Sequence, residues 1–100
     1  MRLNELKPKF VTTLKQPLEE GILYISLEYR VAIHLCACGC GEQTVTPLND
    51  ETNKNEWDLT VNGLWYNAKI TLRPSIGNFT REQPNYHAHY YITENKIEWL

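Results

Sequence analysis

The sequence has too few cysteines for a disulfide framework, no apolar run long enough to enter a membrane, and no surplus of basic charge. All three cysteines fall between Cys36 and Cys40. An odd number at such short spacing is a poor basis for disulfide pairing, and disulfides are rare in a reducing compartment. Clustered thiols there are read as metal ligands. No apolar stretch approaches the roughly 20 residues that a membrane-spanning helix needs. The first ten residues carry Arg2, Glu5, Lys7 and Lys9, which excludes a secretory leader at that place. The expected location is therefore cytoplasmic, with no membrane partner. Lys and Arg total 10 against 12 Asp and Glu, for a formal charge of −2. A protein that meets nucleic-acid phosphates normally shows a basic surplus, so a nucleic-acid partner is not expected.

Internal repeats, low-complexity tracts and sustained helical periodicity are also missing. Instead the chain reads as short apolar segments separated by turn formers. Phe10 to Leu14, Ile22 to Ser26, Val31 to Cys36 and Thr44 to Leu48 have strand character. Alternation from Leu23 to Leu35 is compatible with one long strand, and a break near Glu28 would split it. Trp57, Leu59 and Val61 alternate with polar residues up to Asn62-Gly63, a strong hairpin signal. The return strand, Leu64 to Leu72, would place Leu64, Tyr66, Ala68, Ile70 and Leu72 on one face. Arg73 to Asn78 is rich in turn formers and reads as a loop. A last hairpin follows, His89 to Thr93 and Ile97 to Leu100, about a turn at Glu94-Asn95. The expectation is one all-β domain over residues 1–100, a small sandwich or open barrel of antiparallel hairpins. A core of this size gains from a structural metal, and the expected fold is zinc-stabilised.

The candidate ligands are Cys36, Cys38, Cys40, His87 and His89. Zinc takes thiolate and imidazole in tetrahedral geometry, and sulfur with nitrogen suits Zn2+ better than the harder ions. On a straight strand the alternate residues His34, Cys36, Cys38 and Cys40 would spread over about 20 Å, too far for one ion. Gly39 and Gly41 must therefore curl the chain. Two sites fit. One joins Cys36, Cys38, Cys40 and His89; the other joins Cys38 and Cys40 to His87 and His89. His34 is read as a core or supporting residue.

No catalytic or cofactor-binding residue is assigned from the sequence. His-Glu-x-x-His is absent, as is the His-x-Glu with Cys-x-x-Cys of zinc deaminases. Glu42 follows the cysteines and could serve a catalytic zinc as acid or base, but a solvated turn residue is the plainer reading. Ser75 has no base or acid beside it in sequence. Trp57 is assigned to the core, whereas Trp65 would lie opposite the apolar face of its strand and is a partner-contact candidate.

Several segments in order form a recognisable pattern: Leu23-Tyr24-Ile25-Ser26, His34-Leu35-Cys36-Ala37-Cys38-Gly39-Cys40-Gly41, Thr46-Pro47-Leu48, Trp57 with Leu59, Leu72-Arg73-Pro74-Ser75-Ile76-Gly77-Asn78, and His89-Tyr90-Tyr91-Ile92 with Trp99. Over Lys9 to Trp99 the chain resembles a family of small bacterial proteins defined as a domain of unknown function. The resemblance implies a metal-binding protein. It also implies, for some members, genes encoded beside a ubiquitin-like protein, its activating and conjugating enzymes and a deubiquitinase-like peptidase, in operons tied to defence against phage. In that family a cysteine usually stands three residues before the histidine matching His89; here the position is Tyr86. His87 next to it could take the place, which favours the two-and-two site.

The leading expectation is a non-catalytic, zinc-binding accessory protein of a bacterial ubiquitin-like conjugation or antiviral system. Its partner would be a protein, either the ubiquitin-like protein or the conjugating enzyme. The alternatives are a small zinc-dependent hydrolytic enzyme and a nucleic-acid-binding zinc module. A basic face of Arg30, Lys69, Arg73 and Arg81 would speak for the last.

Overall fold

β-branched and aromatic residues alternating with polar ones favour a pleated surface buried on one side. In a computed structural model that describes residues 2–13, 17–78 and 88–100, that pattern yields eight strands and no helix. They are β1 (Lys7–Phe10), β2 (Ile22–Ser26), β3 (Val31–Leu35), β4 (Gln43–Pro47), β5 (Asp58–Asn62), β6 (Lys69–Asn78), β7 (Ala88–Thr93) and β8 (Lys96–Trp99). The first four form one sheet in the order β1-β2-β3-β4, and the last four a second in the order β5-β6-β7-β8. All neighbours run antiparallel except β1 and β2, which pair in parallel. No helix among the described residues is long and apolar enough to cross a membrane.

Both sheets share one core. Leu23, Ile25 and Ala32 come from the first sheet, and Ile70, Leu72, Ile76, Tyr90, Ile92 and Ile97 from the second. Each large aliphatic side chain fully withdrawn from water contributes about 1.5–3 kcal/mol. Strand β7 shows the alternation plainly. Ala88, Tyr90 and Ile92 point inward, and His89, Tyr91 and Thr93 point to the outer face. Asn95 fastens the β7–β8 turn to β6 through Oδ1, which accepts the Ile70 N–H at 2.7 Å, and Nδ2, which donates to the Ala68 carbonyl at 2.9 Å. The N-terminal segment is tied in by the bridge between Glu5 and Lys96 and by the Leu3 N–H on the Ala37 carbonyl at 2.7 Å.

Three details depart from the sequence reading. The first strand lies at Lys7–Phe10, ahead of the expected Phe10–Leu14, because Lys7 to Phe10 pair with Ile22 to Ile25; Leu14 lies outside the described residues. Of the two readings open for Leu23 to Leu35 the split one holds: a turn at Leu27–Arg30 makes the run a hairpin. The β5–β6 hairpin closes at Asn62 and Lys69, so Gly63 to Ala68 form a longer connection than a two-residue turn. Leu64 and Tyr66 belong to that connection and are exposed, while Ala68, Ile70 and Leu72 are buried. Finally, the expected loop at Arg73 to Asn78 is the second half of strand β6.

Candidate active site

Strand β6 is continuous in direction but irregular in pairing. Leu72 pairs with Ile92, and Ile76 with Tyr90. Three residues of β6, Arg73, Pro74 and Ser75, therefore face one residue of β7, Tyr91. The sequence gives the reason. Pro74 has no N–H to donate, and a ladder that meets proline must bulge or stop. The peptide between Arg73 and Pro74 is cis. Bulges re-aim side chains and recur beside active sites.

Here the bulge directs Ser75 to a histidine. Ser75 Oγ lies 2.8 Å from His89 Nε2, and both residues are half-buried on the outer face of the second sheet. His89 pairs across the strands with Gly77, so no side chain occupies the opposing position. For the serine hydroxyl to donate, Nε2 must be the unprotonated nitrogen and Nδ1 must carry the ring proton. In that tautomer the imidazole is placed to take the Ser75 proton when Oγ attacks an electrophile. Arg73 braces the bulge from the same face. Its Nη1 donates to the carbonyls of Leu72 at 2.8 Å and Ile92 at 3.2 Å, its Nη2 donates to Thr93 Oγ1 at 2.8 Å, and its guanidinium lies 4.6 Å from the Tyr91 ring centre.

The cysteines converge elsewhere, in the turn after β3. The ligand atoms of Cys36, Cys38 and Cys40 all lie within 4.8 Å of one another, with Cys36 Sγ 3.3 Å from Cys38 Sγ. Gly39 and Gly41 adopt φ of 90° and 83°, the left-handed region that lets the chain curl back on itself. The turn is closed by the Cys36 N–H on the Glu42 carbonyl at 2.8 Å and the Gly39 N–H on the Cys36 carbonyl at 3.0 Å. Tetrahedral zinc with bonds of about 2.3 Å separates its sulfurs by about 3.8 Å, so a trio of this spacing can hold a thiophilic ion. Among the described residues this cluster contains cysteines only. His89 directs Nε2 to Ser75, and His87 and Tyr86 lie outside the described residues. Glu42 is exposed and meets the turn through its backbone carbonyl.

His34 is fully buried, as its reading as a core residue requires. Its Nε2 is 2.7 Å from the hydroxyl of Tyr90, which also receives the Ala37 N–H at 3.4 Å. The other ring nitrogen of His34, Nδ1, has no hydrogen-bond partner among the described residues. Burial lowers the His34 pKa to about 4, so the ring is neutral. This network joins the cysteine turn to the strand that carries His89. Of the basic face considered from sequence, Arg30 donates to the Asn49 carbonyl and Arg73 is engaged as described, while Arg81 lies outside the described residues.

The sequence reading passed over Ser75 because its partner is fourteen positions away. The one local signal was the proline before it, which marks where a ladder must yield.

Fold and site together define a class: an all-β domain that presents a hydrogen-bonded serine–histidine pair on an open sheet face, with a separate thiol cluster. Within that class the chain belongs to the BubE family, described as a bacterial ubiquitination-like system serine protease, whose family model matches residues 10–100. Comparison with curated proteins and with solved structures gave no significant match.

Proposed function

We propose that this chain is a serine peptidase of a bacterial ubiquitination-like system, with Ser75 as nucleophile and His89 as general base. The observation that carries the reading is the 2.8 Å contact between Ser75 Oγ and His89 Nε2, and the family's description agrees with it. Ser75 Oγ attacks the carbonyl carbon of an amide that follows the C-terminus of a ubiquitin-like protein, and His89 Nε2 takes the hydroxyl proton. The tetrahedral intermediate collapses to an acyl-enzyme as His89 returns that proton to the leaving amine. Water then attacks the ester, again giving its proton to His89, and the carboxylic acid leaves with Ser75 restored.

The three cysteines hold a structural zinc ion in this reading. His89 is committed to Ser75, which leaves His87 as the histidine for the fourth position. The metal's contribution is to stabilise the turn that Ala37 and Leu3 connect to the core.

The test is labelling with a fluorophosphonate, which esterifies an activated serine. One adduct on Ser75, lost in His89→Ala, is the expected result, together with cleavage of a ubiquitin-like protein bearing a C-terminal reporter. A wild-type protein that neither labels nor cleaves would refute the reading. That outcome would favour the second reading, a non-catalytic zinc-binding accessory protein, for which the thiol cluster and the exposed Trp65 speak.

A further inference from the structure

We propose that the tip of the β5–β6 hairpin, centred on Trp65, is the docking surface for the folded body of the ubiquitin-like substrate. The inference rests on the peptidase reading and specifies how its substrate is held. Trp65 is 81% exposed, the most exposed large hydrophobic side chain among the described residues. Its position is built rather than loose. The connection is closed by the Leu64 N–H on Asn67 Oδ1 at 2.7 Å and the Asn67 N–H on the Leu64 carbonyl at 2.9 Å. Gly63, at φ 88°, brings the backbone so near Asn67 that a Cβ would lie 2.9 Å from its Oδ1. Tyr66 meets the Trp65 ring edge-to-face at 5.5 Å between centres. A rigid, amphipathic aromatic loses little freedom on binding, which is why such residues dominate interface energetics.

On one side of Trp65 lies an apolar cleft of about 330 Å³, lined by Phe10, Leu27, Val61 and Trp65 itself, at the mouth between the two sheets. On its other side the lining includes Lys7 and Lys69. Among the described residues no carboxylate lines either cleft, although the chain as a whole carries −2. The complementary partner presents an apolar patch bordered by carboxylates. A second copy of this chain would bring lysine against lysine. A nucleic acid would need more than two cations to offset the acidic balance. A folded protein fits best.

The position relative to Ser75 defines the substrate further. Lys69 and Ser75 are six residues apart on one strand, less than the roughly 20 Å of a regular strand because the bulge shortens the path. A substrate whose body sits at the hairpin tip therefore needs an extended C-terminal segment of up to about six residues to bring its scissile carbonyl to Ser75. The surface selects a folded domain with such a tail over an unstructured peptide.

The experiment uses a bacterial ubiquitin-like protein with a reporter fused after its C-terminus, beside its last six residues alone joined to the same reporter. Trp65→Ala is expected to raise KM for the fusion about 20-fold at unchanged kcat, with kcat/KM on the short peptide and the melting temperature unchanged. Binding of the uncleaved fusion to Ser75→Ala protein, measured by calorimetry, should weaken by the same factor when Trp65→Ala is added. Lys7→Glu with Lys69→Glu should weaken it further, and added salt should weaken binding to the parent. Unchanged binding and KM in Trp65→Ala, with cleavage intact, would overturn the docking surface and leave the peptidase reading standing. An equal KM rise on the short peptide would also overturn it, because Trp65 would then act at the reaction centre. If neither probe is cleaved but the fusion still binds through Trp65, the peptidase reading fails and the docking surface holds. Binding of a 20-nucleotide single strand that Trp65→Ala abolishes would replace the protein partner with a nucleic acid, and a dimer that Trp65→Ala dissociates would replace it with a second copy.

Discussion

Replacing Tyr90 by phenylalanine removes one oxygen from the middle of the molecule and nothing else. The ring remains, fully buried against Trp99 at 5.1 Å between centres, so neither a cavity nor a loss of apolar area follows. With the oxygen go the 2.7 Å hydrogen bond to His34 Nε2 and the 3.4 Å approach of the Ala37 N–H. A neutral buried hydrogen bond contributes about 1 kcal/mol net, and a polar atom left buried without its partner costs about 1–3 kcal/mol more. His34 already has Nδ1 without a partner among the described residues, so the variant buries an imidazole with neither nitrogen bonded. The expected loss is about 2–4 kcal/mol, or about 10–20 °C in melting temperature for a 100-residue domain. Urea melts with circular dichroism read this as a shift in midpoint at unchanged slope. Tyr91→Phe, one residue along on the outer face, is the control and should stay within about 0.5 kcal/mol. The double variant His34→Leu with Tyr90→Phe should recover part of the loss, because no buried imidazole is then left without a hydrogen bond. A Tyr90→Phe protein within about 0.5 kcal/mol of the wild type would refute the argument that this network holds the cysteine turn to β7.

Ser75→Ala should lower kcat by at least about a thousandfold with no loss of melting temperature, read by reporter cleavage and calorimetry side by side; a tenfold effect would remove Ser75 from the nucleophile's role. Cys38→Ser, or a strong chelator at neutral pH, should release one metal ion per chain by native mass spectrometry and lower the melting temperature; a metal-free wild type of unchanged stability would make the thiols ordinary core and surface groups. Acid should destabilise the fold through His34. Its folded pKa of about 4 lies below the usual 6.5, so between those values the unfolded chain binds a proton that the folded chain refuses. The stability it contributes is whole above pH 6.5 and falls away toward pH 4, by about 3 kcal/mol at most. Urea midpoints across that window should slope less in His34→Gln than in the wild type, and equal slopes would rule His34 out as the source.

The all-β class was legible because period-two alternation and turn formers are local properties of the chain. Ile22 to Ser26, Val31 onward, Ala68 to Leu72 and the closing hairpin about Glu94-Asn95 lie where the pattern placed them. The curl of the cysteine turn followed from Gly39 and Gly41, since no straight strand could gather those thiols. The reading faltered at Arg73 to Asn78. Turn-forming residues there suggested a loop, yet Leu72 and Ile76 on either side are buried and paired, and pairing outweighs local preference. It faltered again at Leu64 and Tyr66, because the extra length of the hairpin connection lifts both off the strand.

By itself, then, the sequence determined the all-β class, where most of the strands would fall, and that the chain must curl at the cysteines. These depend on periodicity, on spacing along a few residues and on glycine's freedom at positive φ. Only the tertiary structure decided that Ser75 meets His89. That contact needs two strands to be neighbours and three residues to bulge against one, and sheet order and register are set by the burial of residues far apart in the chain. The same is true of Tyr90 between His34 and Ala37, where one hydroxyl links two sheets across a core that no single segment encodes.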